Sequence, residues 1–269
     1  MEKIILDCDP GHDDAIAILL AAGNPNIDLL GITTVSGNHD VDNTTRNALA
    51  VCTAYGIKVP VAKGSARPLI SDQVLAVEIH GTTGLDGPVL PPASFDLDKR
   101  HAVDFIIDTV MAHEPKTVTL VPVGPYTNIA LAARKEPRII ERVKGVAMGG
   151  AYTRGNITPA AEFNVYADPE AADVVFRADW DVTMVGLDLT HQAQATPDLQ
   201  NRVRTVGGPI ARFILDIWEF IATTHGGLLQ IAYPAVHDAC CVAAMIDPTS
   251  SPPRRPIFAS KLPAAGPRG

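Results

Sequence analysis

Apolar runs and amphipathic stretches alternate along the chain, and their periods predict strands and helices in turn. Residues 4–8 form an apolar run, and the stretch that starts near His12 has apolar positions at helical spacing until Gly23-Asn24-Pro25. A glycine and a proline just past a helix are typical stop signals. The same periods predict strands at 27–36, 59–62, 117–123, 143–148 and 182–187, and helices at 41–55, at 101–113 and after 127 and 168.

This order of elements predicts one α/β domain built on a parallel sheet, because strands that alternate with helices pair through right-handed crossovers. No linker composition divides the chain before residue 247, so we expect a single domain over residues 1–247. Residues 248–269 are rich in proline and lack periodicity, which predicts a disordered tail. A helix packed on the core is predicted by the apolar stripe Ile210, Phe213, Ile214, Ile217 and Ile221.

Polar residues recur where the predicted strands end. Asp9 follows the first strand, Asn38 the second and Val123-Gly124 the fourth, while residues 149–164 follow the fifth and Asp188 the sixth. Ligands of open α/β sheets bind at the carboxyl ends of the strands. We therefore expect these positions to contribute to one site.

The acidic run after the first strand is the strongest candidate for chemistry. Asp7, Asp9, Asp13 and Asp14 lie close together in the chain. Converging carboxylates repel one another and are stable only with a cation or with some groups protonated. Oxygen ligands favour a hard ion, calcium or magnesium. The alternative is a helix start with a solvated acidic turn, which explains a single aspartate better than it explains four.

Two stretches that contain histidine are further candidates. His80 lies in a long irregular region, residues 63–100, and loops of this length are usually functional or disordered. A lone histidine in a loop is more often a surface residue, so His80 by itself is weak support. His237-Asp238 precedes the apolar run 240–246 and places a second histidine–aspartate pair at a predicted helix start.

The composition narrows the range of expected binding partners and cellular compartments. The chain has 269 residues and a formal net charge of −8, whereas a nucleic-acid partner would call for a basic patch. No apolar run reaches the length of a membrane span, and Met1-Glu2-Lys3 leads directly into a strand, so we expect neither a membrane partner nor a signal peptide. The four cysteines form no C-x-x-C pair, which favours buried free thiols in a reducing, cytoplasmic setting.

Several blocks of the sequence together resemble the inosine-uridine-preferring nucleoside hydrolase family. The first is DCDPGHDDA at residues 7–15, and the others follow in order: ITTVSGN, IHGTTGLDGP, TLVPVGPYTNIALAAR, MGGAYTRGNITPAAEFNVYADPEAA, VGLDLTHQA and AVHDAC. The resemblance covers about residues 3–247. It implies an open, mostly parallel α/β sheet flanked by helices. It also implies calcium in the active site, and hydrolysis of the N-glycosidic bond of ribonucleosides to ribose and free base.

The resemblance assigns roles to particular residues. Calcium would be held by Asp9, Asp14, the main-chain carbonyl of Val123 and Asp238. The family often has threonine at the position of Val123, a change that a main-chain ligand tolerates. Asp13 would be the general base for the attacking water.

The resemblance also implies how the nucleoside is held. The ribose would be lined by Asn38, Met148, Asn156, Glu162 and Asn164. His80 would lie near the base, and His237, which titrates near neutrality, would act as the acid on the leaving base. A histidine at position 237 resembles the branch that acts on pyrimidine or mixed nucleosides.

Two departures from the family pattern concern the base and the C-terminus. Relatives in that branch carry a tyrosine about eight residues before the histidine, where ungapped counting finds Leu229, and a shifted loop over 225–233 would bring in Tyr233 instead. Residues 248–269 do not resemble the family's final strands and helix, so a truncation is one hypothesis. The family context also implies a homodimer or homotetramer.

Two other functions stay open at this point. Asp7-x-Asp9 after the first strand also occurs in haloacid-type phosphatases, where the first aspartate is the nucleophile, but no matching later lysine motif is present. The unusual tail would also suit a non-catalytic nucleoside-binding protein. The presence of Asp9, Asp13 and Asp14 together with Asp238 argues against that reading.

Overall fold

The computed structural model describes residues 1–224 and 232–247. The strands in these residues are β1 (Glu2–Cys8), β2 (Ile27–Thr34), β3 (Val61–Lys63), β4 (Val118–Pro122), β5 (Val143–Met148) and β6 (Asp181–Val185). The helices are α1 (His12–Gly23), α2 (Val41–Tyr55), α3 (Val77–His80), α4 (Ala102–Ala112), α5 (Thr127–Lys135), α6 (Ile139–Arg142), α7 (Phe163–Ala167), α8 (Pro169–Arg177), α9 (Leu187–Thr190), α10 (Pro197–Val206), α11 (Gly208–Thr224) and α12 (Ala239–Ile246).

The strands form one open sheet in the order β3-β2-β1-β4-β5-β6, and every described pair is parallel. The predicted α/β class is confirmed. The chain leaves β1 towards β2 and β3 and then returns to add β4 on the other side of β1. This reversal creates a crevice at the carboxyl ends of β1 and β4, the usual ligand position in open α/β sheets.

The central strand β1 is apolar because both of its faces are covered. Ile4, Leu6 and Cys8 belong to one buried cluster, and Ile5 belongs to a second cluster on the opposite face. Alternate side chains of a strand point to opposite faces, so a strand buried on both sides is predominantly apolar. The apolar run therefore ends where the sheet ends, and the aspartates that follow stand at its carboxyl edge.

The predicted element boundaries hold closely in most places. α2 covers residues 41–55 as predicted, and α4 is bounded by the caps His101 and His113. Asp168 caps α8 by accepting a hydrogen bond from the Ala171 N–H at 3.0 Å, with proline at the first helical position. The region 63–100 is largely irregular, apart from β3 and α3.

One prediction about the core is wrong. Ile210 is 46% exposed, whereas Phe213 and Ile217 of the same stripe are buried. The first turn of α11 buries the small side chain of Ala211, and Ile210 extends towards solvent. Cys8, Cys52 and Cys241 are buried free thiols as predicted, and Cys240 is a half-buried free thiol. Among the described helices none is both long and apolar enough to cross a bilayer.

Asp7 has a structural position inside β1. Its Oδ1 accepts hydrogen bonds from Thr33 Oγ1 at 2.5 Å and from Asn128 Nδ2 at 2.8 Å, so it links β1 to β2 and α5. Asn128 Nδ2 also donates to the Thr34 carbonyl at 2.9 Å. Burial raises the pKa of Asp7 to about 7. The network fixes the ends of the two strands from which the site residues emerge.

Candidate active site

The turn between β1 and α1 is shaped by the carboxylate of Asp14. Its Oδ1 accepts the main-chain N–H of Asp9 at 3.0 Å, and its Oδ2 accepts the N–H of Gly11 at 3.0 Å and Nδ2 of Asn38 at 2.9 Å. These donors occupy both oxygens of a fully buried side chain. Asp14 is thereby held in one orientation at the first turn of α1, where the helix dipole favours a negative charge.

Asp9 is packed just as tightly. Its Oδ2 accepts the main-chain N–H of Asn38 at 2.6 Å, and a Cβ added at Gly37 or Gly124 would collide with its carboxylate. Glycine at both positions lets the backbone of two loops approach the acid. Burial, followed by the charge of Asp14, raises the pKa of Asp9.

Asp13, Asp14 and Asp238 converge, with one carboxylate oxygen from each lying within 4.8 Å of the others. Asp238 caps the start of α12 without making a side-chain capping bond. Burial, followed by the charge of Asp13, raises the pKa of Asp14 to about 7 and also raises the pKa of Asp238. The tightest cluster thus contains the predicted base Asp13, and the predicted ligand Asp9 adjoins it through Asp14.

The donor chemistry of this cluster fits a hard cation. The side chains of Asp13 and Asp238 accept no hydrogen bond from the residues that the structure describes, although Asp238 is buried. Buried carboxylates that repel one another and lack hydrogen-bond donors are stabilised by a cation. All the candidate ligands are oxygens, as calcium and magnesium prefer.

The ends of β4 and β5 are tied together beside the acidic cluster. Asn164 Nδ2 donates to the Val123 carbonyl at 2.8 Å and to the Met148 carbonyl at 3.2 Å. The buried hydroxyl of Tyr126 also donates to the Met148 carbonyl, at 2.8 Å. The predicted ligand Val123 and the predicted ribose residues Met148 and Asn164 therefore meet at one edge of the sheet.

Glu162 is the buried N-cap residue of α7, and the charge of Asp13 contributes to its pKa. Its Oε1 accepts the N–H of Asn164 at 3.0 Å, and its Oε2 accepts the N–H groups of Gly150 at 2.8 Å and Val165 at 3.2 Å. Burial raises the pKa of Glu162 to about 7, these hydrogen bonds oppose the shift, and the charge of Asp13 adds to it. Glu162 thus joins the loop after β5 to the acidic cluster.

His80 is buried against the β1–α1 turn. Its Nδ1 lies 3.0 Å from Nδ1 of His12, and Nε2 of His12 lies 2.8 Å from the Asp86 carbonyl. A carbonyl only accepts, so Nε2 of His12 carries a proton, and Nδ1 of His80 also accepts the main-chain N–H of His12 at 3.4 Å. A Cβ at Gly11 would collide with His80 and Asn38, which places His80 next to the acidic turn.

His237 precedes Asp238 and is half-buried. Its Nδ1 lies 2.7 Å from the hydroxyl of Thr190, and the ring of His191 packs edge-on with a centroid distance of 5.6 Å. Burial lowers the pKa of His237, the charge of Asp13 opposes that shift, and His191 adds to it. His237 therefore lies within electrostatic reach of the acidic cluster.

Comparison with known proteins identifies the family. The sequence profile of the family described as inosine-uridine preferring nucleoside hydrolase matches residues 4–261. The chain belongs to this family. The family assignment agrees with the resemblance of the sequence blocks and with the switch-point position of the acidic cluster.

Individual relatives of this nucleoside hydrolase support the same assignment. The inosine-uridine preferring nucleoside hydrolase of Crithidia fasciculata is 56% identical over 252 residues, which are 92% of this chain and 80% of that protein. The pyrimidine-specific ribonucleoside hydrolase RihB of Escherichia coli is 51% identical over 247 residues, 91% of this chain and 79% of its own length. These names agree on nucleoside hydrolysis and differ in the base.

Solved structures show the same fold. The purine-preferring ribonucleoside hydrolase from Gardnerella vaginalis superposes with a TM-score of 0.87 at 37% identity, over 92% of this chain and 81% of that chain. A plant nucleoside hydrolase superposes with a TM-score of 0.86 at 32% identity, over 92% of this chain and 79% of that chain. This nucleoside hydrolase therefore shares its architecture with two nucleoside hydrolases from different organisms.

Three residues considered from the sequence make no described hydrogen bond with the acidic cluster of this nucleoside hydrolase. Asn156 is exposed, and its Oδ1 accepts the N–H of Phe163 at 3.0 Å. Tyr233 is 38% exposed and makes no hydrogen bond or ring contact with the other described residues. Asp188 accepts the N–H groups of Tyr152 and Thr153 at 2.6 and 3.1 Å and so fastens the loop after β5. The predicted lid over 225–233 lies mostly outside the described residues.

Other residues of the nucleoside hydrolase site were not singled out by sequence reasoning. Tyr126 holds the end of β5, Asn47 Nδ2 donates to the carbonyls of Pro10 and Thr83 at 3.0 and 2.9 Å, and Thr190 contacts His237. His12 and Thr190 lie within sequence blocks that resemble the family, and that resemblance is the signal that could have identified them. Asn47 lies inside α2, where nothing in the local sequence distinguishes it.

Proposed function

We propose that this nucleoside hydrolase uses calcium to hydrolyse the N-glycosidic bond of ribonucleosides, with uridine, cytidine or inosine as substrates. The observation that carries the proposal is the convergence of Asp13, Asp14 and Asp238 at the carboxyl edge of the sheet. The names of the two curated relatives, inosine-uridine preferring and pyrimidine-specific, support this group of bases.

The proposed calcium ligands are Asp9, Asp14, the Val123 carbonyl and Asp238. A bound calcium ion would supply Lewis-acid polarisation of the oxygen atoms that it contacts. The chain's own contribution is to hold Asp14 and Asp9 in fixed orientations through main-chain N–H groups. Sites fixed in this way lose little energy to reorganisation when charge develops in the transition state.

Asp13 is the carboxylate best suited to take a proton from the attacking water. It is half-buried, and its oxygens accept no hydrogen bond from the described residues, whereas both oxygens of Asp14 already accept hydrogen bonds. A general base has to contact the attacking water through an oxygen atom that is free to accept the proton. General-base assistance of this kind is typically worth about 100- to 10,000-fold in rate.

The proposed ribose site comprises Asn38, Met148, Asn156, Glu162 and Asn164. Glycosidic bond cleavage develops positive, oxocarbenium-like charge on the sugar. The buried Glu162 and the acidic cluster provide negative charge on the side of the sheet where we place the ribose. Asn156 is exposed in the structure, so its assignment rests on the family resemblance alone.

On the base side, the proposal places His80, His237 and Tyr233. The heterocycle leaves as an anion unless it is protonated, and His237 provides the proton. Trp180 and Trp218 pack into the hydrophobic cores on opposite faces of the sheet. Stacking of a purine between tryptophans therefore receives no support from the described residues.

A reducing-sugar assay tests the proposed function. Uridine, cytidine, inosine and adenosine would each be incubated with the protein and calcium, alongside a panel of phosphoesters assayed for released phosphate. We expect ribose from at least one of the first three nucleosides and no phosphate release. Phosphate release without ribose would instead favour the haloacid-type phosphatase, and uridine binding without ribose release would favour a binding protein.

Replacement of His237 by glutamine tests the proposed acid. We expect kcat for inosine or uridine to fall by about 100-fold or more, because the leaving base loses its proton donor. A nitrophenyl riboside needs no proton on its leaving group, so its kcat should change by less than about threefold. His113→Gln, on a remote helix end, is the control. Equal losses on both substrates would contradict the acid assignment.

The homodimer or homotetramer, the cytoplasmic location and the single domain over residues 1–247 stay predictions. The proline-rich tail, residues 248–269, lies outside the described residues, so its predicted disorder or truncation stays a prediction as well.

A further inference from the structure

Thr190 connects α9 to the proposed acid. The residue is fully buried at the end of α9, and its Oγ1 lies 2.7 Å from Nδ1 of His237. Among the residues that the structure describes, His237 is the one side chain or carbonyl with which this hydroxyl forms a hydrogen bond. A buried hydroxyl normally makes a hydrogen bond, and for Thr190 the partner is the imidazole of His237.

The backbone fixes the distance between these two residues. After α9 the chain pairs with the segment that precedes His237, through Val236 N–H to the Ala193 carbonyl and Ala195 N–H to the Pro234 carbonyl, both at 2.8 Å. Gln194 and Ala235 form an antiparallel bridge at the same place. Thr190 and His237 are therefore held together by main-chain bonds on both segments.

The ring of His237 is held on one edge and open on the other. Nδ1 faces Thr190, and His191 packs edge-on against the ring with a centroid distance of 5.6 Å. Within residues 1–224 and 232–247, Nε2 of His237 makes no hydrogen bond. The open nitrogen is therefore Nε2, and it is the nitrogen available to a ligand.

We propose that Thr190 is a positioning residue that orients the ring of His237 so that Nε2, and not Nδ1, is the nitrogen presented to the leaving base. The proposal rests on the acid role of His237 in the proposed function. A hydroxyl both donates and accepts, so it can serve either protonation state of the ring. It donates to Nδ1 when that nitrogen carries no proton, and it accepts from Nδ1–H in the imidazolium and in the neutral ring protonated at Nδ1. In each state Thr190 occupies Nδ1, so Nε2 is left to face the ligand.

The proton transfer balances on this arrangement. In the protonated ring the Nε2–H bond breaks as an N–H or O–H bond forms on the leaving base. The electron pair of the glycosidic bond goes to the base, and the ring becomes neutral with Nδ1–H donating to Thr190. Exchange with water returns the second proton to Nε2. The residue beside Nδ1 therefore has to accept a hydrogen bond from Nδ1–H before and after the transfer, which valine cannot do and serine can.

The test compares Thr190→Val with Thr190→Ser in the full-length chain with calcium. Valine keeps the shape and removes the hydroxyl, and we expect kcat for inosine or uridine to fall by roughly five- to tenfold with KM little changed. The nitrophenyl riboside should lose less than about twofold, because its leaving group needs no proton. Serine should restore kcat on the natural nucleoside to within about twofold of the parent.

Two controls separate positioning from general damage. Thr45→Val removes another buried hydroxyl, which lies 2.7 Å from Thr34 Oγ1, and should leave both substrates at parent rates. The double variant Thr190→Val with His237→Gln should be no slower than His237→Gln alone, because groups that act as one unit are not additive. Melting curves for every variant confirm that the assays compare folded protein.

The outcomes distinguish this inference from the function on which it rests. If His237→Gln loses turnover selectively on the natural nucleoside while Thr190→Val matches the parent, the positioning role is overturned and the acid role stands. Equal loss on both substrates in Thr190→Val, or no rescue by serine, also overturns the positioning role. If His237→Gln shows no selectivity for the leaving group, the acid assignment fails and the positioning role fails with it.

Discussion

Asp13→Asn is expected to lower kcat for a natural nucleoside by about 100- to 10,000-fold while substrate binding is partly retained. Asparagine has nearly the same shape as aspartate but cannot accept a proton from water. Asp13 is half-buried, with oxygens that accept no hydrogen bond from the described residues, so the substitution breaks no internal contact. Turnover is measured by ribose release, and binding by calorimetry with uridine or inosine.

A calcium titration separates the base role of Asp13 from a ligand role. Asp13 lies in the same 4.8 Å cluster as Asp14 and Asp238, so asparagine could also weaken cation binding. If Asp13 is the base, saturating calcium leaves the variant slow, whereas recovery at high calcium would make Asp13 a ligand. Asp42→Asn is the matched control, because Asp42 is an exposed aspartate in the first turn of α2. Parent-like turnover in Asp13→Asn would refute the base assignment.

Removal of calcium is expected to abolish ribose release and to lower the melting temperature. The buried carboxylates of Asp14 and Asp238 repel one another and Asp13 when no cation is bound. A ligand at 100 times its Kd stabilises the folded state by about 2.7 kcal/mol. For a domain of this size that corresponds to roughly 5–10 °C in Tm. The measurements are reducing-sugar assays and melting curves in a chelator and after calcium is restored.

The same experiment can be made specific to the acidic cluster. Asp238→Asn removes one buried charge, so we expect a smaller melting shift on addition of calcium than in the parent protein. Repeating the measurements with magnesium in place of calcium tests whether the site selects its ion by size. Magnesium is smaller, demands stricter octahedral geometry and gives up water reluctantly. Full turnover and an unchanged Tm in chelator would rule out the proposed calcium dependence.

Much of the fold was predictable from the sequence because it depends on local periodicity. The apolar run before Asp9, the stop signal after Gly23 and the cap at Asp168 are each properties of a few neighbouring residues. Their structural counterparts agree closely with the prediction. The order of the strands in the sheet was not predicted, since periodicity reports where strands lie and says little about which strands become neighbours.

The site was predictable in its acidic core and unpredictable in its supporting contacts. Asp13 and Asp14 share a helical turn, so their proximity is a local property, and the ligand role of Asp238 came from the family resemblance. The contact between Thr190 and His237 joins different segments, and so does the contact between Tyr126 and the Met148 carbonyl. Such contacts depend on tertiary packing, which also explains why Ile210 was assigned wrongly.

The central position of β1 imposes an order on assembly during synthesis. β1 pairs with β2 on one side and with β4 on the other, and β4 is made more than a hundred residues later. Until residues 118–122 leave the ribosome, β1 is an apolar strand with one edge unpaired, the kind of edge that invites pairing with other chains. Asp238 arrives later still, so a nascent chain carries the acidic turn of α1 long before the carboxylate that completes the cluster. We therefore expect capture of the proposed calcium ion to be one of the last events in the maturation of this protein.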